Sequence, residues 1–408
     1  MKKCSPRKAW LYGTGSVLLA LVLYPAMIWS EWRTEQLNAQ DSIEAGLHQH
    51  SYYSEVPPHY ERVSRIPPIR LYRYFLRVTH INIDEQPVGD EVMRNARKFR
   101  HLVSVQAPNP RITDTTLAHL SQNKCIERLD LRNSGVSDQG LQHIVTHTNL
   151  VALDLGGTGV SDAGVTHIAG LNKIVSLGLR HTKITDKSLR IIAGLPALTS
   201  LDIAGTHVSD QGIKELARAT QLQYLILDGT RASDDGVKHL KTLRRLGSLS
   251  LNTTKVEGES LKHLAALPRL HVLSLDNTPI TDNRMIHMPA FKTLKSLSIT
   301  NTSISDIGIT SIVRAPALRS LNLARTAVTD EGVKLISMMH PLDELRLGDT
   351  KVTEDGVVLL QAWNKSKKPR SGALPHRKSK TTQSSGPSYQ RTTAQSTPQN
   401  AFRRPERV

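Results

Sequence analysis

Six histidines share one position of a 24-residue spacing: His119, His143 and His167, then His239, His263 and His287. Imidazoles repeated in this way raise the possibility of metal ligation. On packed helices, however, the spacing between neighbours is about 8–10 Å, too wide for easy shared ligation. No Cys/His/carboxylate cluster of zinc-site spacing accompanies them. Gly156-Gly157-Thr158-Gly159 is a second chemical candidate, a glycine-rich turn between a strand-like and a helix-like stretch. A phosphate loop needs a lysine after its last glycine to reach the phosphates, and Val165 follows Gly164. H-E-x-x-H, G-x-S-x-G and EF-hand patterns do not occur. The expectation is therefore of a non-catalytic chain with no cofactor, no metal and no small-molecule substrate.

The spacing itself defines the elements. L-x-[LI] begins at Leu129, Leu153, Leu177, Leu201, Leu225, Leu249, Leu273, Leu297, Leu321 and Leu345, always 24 residues apart. Val105-Gln106-Ala107 and Ile81-Asn82-Ile83 continue the register toward the N-terminus, giving about twelve units over 78–363. The two leucines of L-x-L point to the same face of a short strand. Leu141, Ile144 and Val145 follow at i, i+3 and i+4, the apolar stripe of an amphipathic helix. Ser or Thr and then Asp precede each stripe, as in Ser161-Asp162 and Thr329-Asp330. A hydroxyl there can cap the first helical turn, and the carboxylate suits the positive end of the helix dipole. One such unit cannot bury its apolar side alone, but stacked units can.

Three residues after the second Leu stands a hydroxyl: Thr158, Thr182, Thr206, Thr230, Thr254, Thr278, Thr302, Thr326 and Thr350. A structural ladder is expected of them, each bonding the backbone of the adjacent coil. Two neighbouring units are irregular. One has Glu257-Gly258 in place of Ser/Thr-Asp; the next has Arg284 in place of Gly and Pro289 within the expected helix. Proline there should end the helix early, and the pair of irregular units could bend the stack.

On these motifs the chain resembles a leucine-rich-repeat protein of the strand–helix kind, similar to ribonuclease-inhibitor-like and F-box-associated repeats. The T-x-[VI]-[ST]-D-x-G-[LV] form resembles a variety frequent in bacterial leucine-rich-repeat proteins. The resemblance implies an α/β horseshoe-shaped solenoid with a parallel sheet on its concave face, and a protein-binding role without naming a partner. Glu55 to Ile81 shows no F-box pattern, which disfavours a ubiquitin-ligase substrate receptor. The residues alternating with the leucines should line the concave face, and among them Tyr224 and Ile226, followed by Asp228, are the one large apolar pair. Aromatic anchors in a polar surround are characteristic of interaction hot spots. Lys183, His207, Arg231 and Lys255 occupy one turn position in four successive units, with Arg180 and His181 beside them. With strands about 4.8 Å apart they form a basic edge, suited to an acidic partner or polysaccharide.

The net charge of +17 is concentrated at the ends. Lys2, Lys3, Arg7 and Lys8 make residues 1–8 a basic flank, and 364–408 holds eleven Lys/Arg against Glu406 alone. Residues 9–30 contain an uncharged stretch from Ala9 to Trp29, bracketed by Trp10, Trp29 and Trp32. The length and the aromatic flanks match a transmembrane signal anchor. By the positive-inside rule the N-terminus would be cytoplasmic and the repeat domain outside, at an envelope or surface. Residues 31–77 read as a stalk. The tail 364–408, poor in aliphatics, reads as disordered and could bind an anionic polymer or lipid surface. An adhesion protein working through that tail and the basic edge is the alternative to a protein-binding module.

Overall fold

The computed structural model describes residues 52–53, 80–83, 89–99, 101–339 and 342–366. Thirteen strands form one sheet in chain order. They are β1 (Tyr52–Tyr53), β2 (His80–Asn82), β3 (Ser104–Gln106), β4 (Arg128–Asp130), β5 (Ala152–Asp154), β6 (Ser176–Gly178) and β7 (Ser200–Asp202). The series continues with β8 (Tyr224–Ile226), β9 (Ser248–Ser250), β10 (Val272–Ser274), β11 (Ser296–Ser298), β12 (Ser320–Asn322) and β13 (Glu344–Arg346). From β2 onward every pairing is parallel and joins residues 24 apart, for example Leu177↔Leu201 and Leu201↔Leu225. The sheet is open, and a short helix returns each strand to the next, so the architecture is a leucine-rich-repeat solenoid. The sequence spacing had implied this, with one addition. β1 lies in the segment expected to be a stalk and pairs antiparallel with β2, Tyr52 opposite Ile81.

Each coil supplies one apolar layer. In the coil that begins at β6, Leu177, Leu179, Ile184, Leu189, Ile192 and Leu198 are at most 1% exposed. Each such side chain contributes about 1.5–3 kcal/mol relative to leaving it in water. Where most coils place an aliphatic or aromatic residue in the return loop (Leu171, Leu195, Leu243, Phe291), two place a polar one. Asn123 donates through Nδ2 to the carbonyls of Ala96 and Phe99, at 3.2 and 2.7 Å. His147, fully buried, sets Nε2 3.1 Å from the Leu120 carbonyl.

The Ser/Thr-Asp-x-Gly signature does more than cap helices. The hydroxyl of Ser161 accepts from the Ala163 amide of its own helix, as expected of an N-cap. The same Ser161 donates its amide and its hydroxyl to Asp138 of the preceding coil, at 2.7 and 2.5 Å. The Gly164 amide donates to that carboxylate as well, at 2.9 Å. The pattern recurs at Asp186 with Ser209, Asp210 with Ser233, Asp306 with Thr329 and Asp330 with Thr353. It is a clamp between coils. At Asp162, burial pushes the carboxyl upward, but hydrogen bonds from Ser188 and Thr185 outweigh it and hold the group below the usual carboxylate range.

Several expectations are corrected here. The threonine hydroxyls do not reach the adjacent coil. Each donates to the carbonyl three residues back in its own coil, at 2.6–2.7 Å, as Thr158 does to Leu155, Thr182 to Leu179, Thr206 to Ile203, Thr230 to Leu227 and Thr254 to Leu251. Thr278, Thr302, Thr326 and Thr350 follow suit. A side chain this short closes its own turn, and the inter-coil link falls to the aspartates. Across the irregular units β9, β10 and β11 keep the 24-residue register of their neighbours. At the first, Gly258 takes φ +104° and Asp234 is satisfied by the amides of Glu257, Gly258 and Ser260. At the second, Asp282–Ala290 winds as a 3-10 helix that contains Pro289 instead of stopping before it.

The membrane placement is also corrected. Among the described residues no helix is long and apolar enough to cross a bilayer. Residues 9–30, on which that expectation rested, lie outside the described residues, as do residues 1–8 and the tail beyond 366. The localisation built on the anchor, with the repeat domain outside the cytoplasm, is not retained.

Candidate interaction surface

The inner face of the sheet is built by alternation. From β4 to β12 the central leucine turns into the core and its two neighbours turn out. On β8 Leu225 is 1% exposed, while Tyr224 is 51% and Ile226 37% exposed. These two large apolar side chains stand side by side in solvent. One strand away Ser200 pairs with Tyr224 and Asp202 with Ile226. From there toward the N-terminus the face carries small residues, Ser200, Ser176, Gly178 and Ala152, over a shallow cavity of about 260 Å³. Asp130 and Asp154 also line the cavity, and Arg132 pairs with them: Nε–Oδ1 of Asp130 at 2.9 Å, a second nitrogen to its Oδ2 at 2.7 Å, and Asp154 at 3.6 Å. Burial pushes the Asp154 carboxyl above the usual carboxylate range. The Gly156 amide opposes that shift, and the neighbouring Asp130 and Asp202 carboxylates add to it. A Cβ on Gly178 would lie 2.5 Å from Asp154 Oδ1, so a side chain there would displace the Asp154 carboxylate.

Toward the C-terminus the same face is occupied by its own bonds. Asp228 accepts from Ser250 Oγ at 2.6 Å and from the Asn252 amide at 2.8 Å. Asn252 Oδ1 accepts in turn from Ser274 Oγ and the Asp276 amide, and Asp276 from Ser298 Oγ and the Thr300 amide. Asp228, grouped above with the binding candidates, thus already serves the next coil. The signal for this second ladder was present in the sequence as Ser250-x-Asn252, Ser274-x-Asp276 and Ser298-x-Thr300, each 24 residues after the last.

Lys183, His207, Arg231 and Lys255 are all exposed and in register. Their amides donate to the preceding coil, to the carbonyls of Val160, Ile184, Val208 and Ala232 at 2.8–3.2 Å. Arg180 and His181 stand exposed at the start of the same turn, His181 at φ +53°. The basic edge therefore runs along the turns, beside the strand face that carries Tyr224 and Ile226, and the two groups do not converge on one point. The histidines His119, His143, His167, His239, His263 and His287 are half-buried on the helical side. Among the described residues no group of three His, Cys, Asp or Glu could hold a metal ion.

Comparison with known proteins agrees with this architecture. A leucine-rich-repeat family model matches residues 122–145, 146–169, 195–217 and 316–337. The chain carries leucine-rich repeats. No curated protein matches it. Among solved structures it is similar to an internalin (inlF) from Listeria monocytogenes, with 22% identity over 68% of this chain and 87% of the internalin, and a TM-score of 0.50. It is also similar to the leucine-rich-repeat ectodomain of the Arabidopsis receptor kinase HAESA in complex with an IDA peptide hormone. There the identity is 16% over 68% of this chain and 47% of the ectodomain, with a TM-score of 0.49. At 22% identity the likeness to the internalin is one of fold.

Proposed function

We propose that this chain is a non-catalytic interaction module that seats a protein partner on the inner sheet face at Tyr224 and Ile226. The observation that carries the reading is the exposure of both side chains, Tyr224 at 51% and Ile226 at 37%, side by side on one strand of a largely polar face. A tyrosine and an isoleucine held on a rigid strand lose little freedom on binding and present a large apolar contact. The small-residue trough beside them gives a partner's backbone room to approach, while the Asp228–Asn252–Asp276 ladder leaves the other half of the face rigid. The basic edge of Arg180, His181, Lys183, His207, Arg231 and Lys255 borders the site and steers an acidic partner toward it. Leucine-rich-repeat proteins commonly mediate protein–protein interaction, and the HAESA structure contains a bound peptide hormone; both agree with this reading.

The test is capture with the immobilised full chain. Proteins retained by the wild type are expected to be lost on Tyr224→Ala combined with Ile226→Asp, with the melting temperature unchanged because both side chains are exposed. Unchanged capture by the folded double variant would overturn the assignment of the site.

A further inference from the structure

The two ends of the solenoid are finished differently. At the first coil Ile81, Ile83, Met93 and Phe99 are at most 2% exposed, and the outer edge of β2 is paired by the antiparallel strand β1. At the last coil β13 terminates the sheet, and among the described residues no strand pairs its outer edge. The preceding coil supplies an internal control. Leu321, Leu323, Val328, Val333 and Ile336 are each 0% exposed. Their counterparts one repeat later are Leu345, Leu347, Val352, Val357 and Leu360. Four of these are only partly buried, and Val357 is 45% exposed. An unpaired sheet edge above an uncovered apolar layer is a template for pairing.

We propose that this edge pairs with β13 of a second copy, antiparallel and centred on Leu345, to give a two-fold dimer. The backbone directions fix the register. The Glu344 amide points inward to the Arg319 carbonyl, and the Arg346 carbonyl accepts inward from the Leu323 amide. Amides and carbonyls alternate along a strand, so those of Leu345 point outward. Two Leu345 residues facing each other across a two-fold axis then form a hydrogen-bonded pair, exchanging both N–H···O=C bonds. Within one strand Arg346 Nε donates to Glu344 Oε1 at 2.8 Å, and the centred register, unlike its neighbours, lets the same two charges pair across the axis as well. Glu344 of each copy stands opposite Arg346 of the other, and opposite charges directly across an antiparallel pair are stabilising. A two-fold interface must be self-complementary in this way. The apolar layer, with Val357 45% exposed, gains a cover as the coil of β2 has from β1 at the other end.

Sedimentation velocity on the full chain over a concentration series reads the outcome. The wild type is expected to dimerise. Glu344→Arg sets Arg against Arg twice and is expected to raise the dissociation constant by about tenfold or more. Glu344→Arg with Arg346→Glu restores opposite charges across the axis and is expected to recover dimerisation, with circular dichroism showing that each variant is folded. A wild type that stays monomeric means that something else closes the edge, and overturns the proposal. So does a dimer indifferent to Glu344→Arg, or one that the charge exchange fails to restore.

Discussion

Replacing Gly308 with alanine is expected to destabilise the protein, against the ordinary direction for a helix. Gly308 lies within the helix Asp306–Ile312, where Gly→Ala normally stabilises by about 1 kcal/mol. The coil before it reverses the sign. A Cβ at Gly308 would lie 2.5 Å from Asp282 Oδ1 and 3.1 Å from Ile304 Cγ2. Asp282 cannot simply swing aside, because it accepts from the Gly308 amide at 3.0 Å, the Ser305 amide at 2.8 Å and the Ser305 hydroxyl at 2.6 Å. Overpacking costs about 1–3 kcal/mol, and a hydrogen bond to a charged group is worth about 1.5–3 kcal/mol. Set against the helical gain, a net loss of about 2 kcal/mol is expected. Gly308→Ser should cost less than Gly308→Ala, because Ser188, Ser260 and Thr116 at this repeat position each turn a hydroxyl onto the preceding aspartate. Urea unfolding of Gly308→Ala, Asp282→Ala and the double variant measures the coupling. In the Asp282→Ala background the alanine at 308 should become neutral or stabilising. A Gly308→Ala variant as stable as the wild type, or additive effects in the double variant, would refute the inter-coil clamp.

Two further outcomes follow from the same geometry. Burial holds the His147 imidazole below its usual value of 6.5, against the opposing pull of the Leu120 carbonyl. The folded state therefore favours the neutral ring; stability is full above pH 6.5 and falls as pH drops below it. His147→Leu, which installs the residue found at this position in the coils with Leu171, Leu195 and Leu243, should flatten the melting temperature between pH 7 and pH 5; an unchanged slope counts against the assignment. Thr253, at φ +57°, is a β-branched residue in the left-handed region, where the next two coils place Asn277 and Asn301. Asn tolerates that conformation and Thr does not, so Thr253→Asn should stabilise by about 0.5–1 kcal/mol in urea titration, and a loss of stability would contradict it.

The fold was legible because its cause is repetition. Twelve strands at a spacing of 24 needed only the alternation of L-x-L and the i, i+3, i+4 stripe, and Tyr224 and Ile226 were placed on the inner face by the same alternation. What the sequence did not reveal was where polar groups send their bonds. Asp138 and its equivalents read as local helix-dipole partners because a single unit contains no other use for them. Their partners, Ser161 and Gly164, lie 23 and 26 residues away, and only stacking brings them within 3 Å. The threonines erred in the opposite direction: a ladder in sequence suggested bonds between coils, whereas each hydroxyl closes its own turn. β1 was hidden for a different reason. Two tyrosines outside the repeat carry no periodicity, so nothing local marks Tyr52–Tyr53 as the strand that closes the edge.

These bonds also explain where a repeat protein can keep a site. Asp282 is tied to the next coil through Ser305 and Gly308, so changing it disturbs two coils, while Thr278 closes the turn of its own coil. Among the positions alternating with the leucines, the continuous ladder from coil to coil begins at Asp228; before it Arg132 pairs with Asp130 and approaches Asp154, and Asp202 accepts from the amide of Ala204. Beyond it, Asp228 to Thr300 bind one another and the inner face becomes part of the scaffold. Before it, Ser176 and Ser200 make few demands, and Asp154 is held in a setting that raises its pKa. Tyr224 and Ile226 stand at the border between the two regimes, on the last strand free to vary and against the first that is locked. An exposed anchor at that border gains the rigidity of one half and the open surface of the other, and this is the physical reason to place the partner there and not along the basic edge alone.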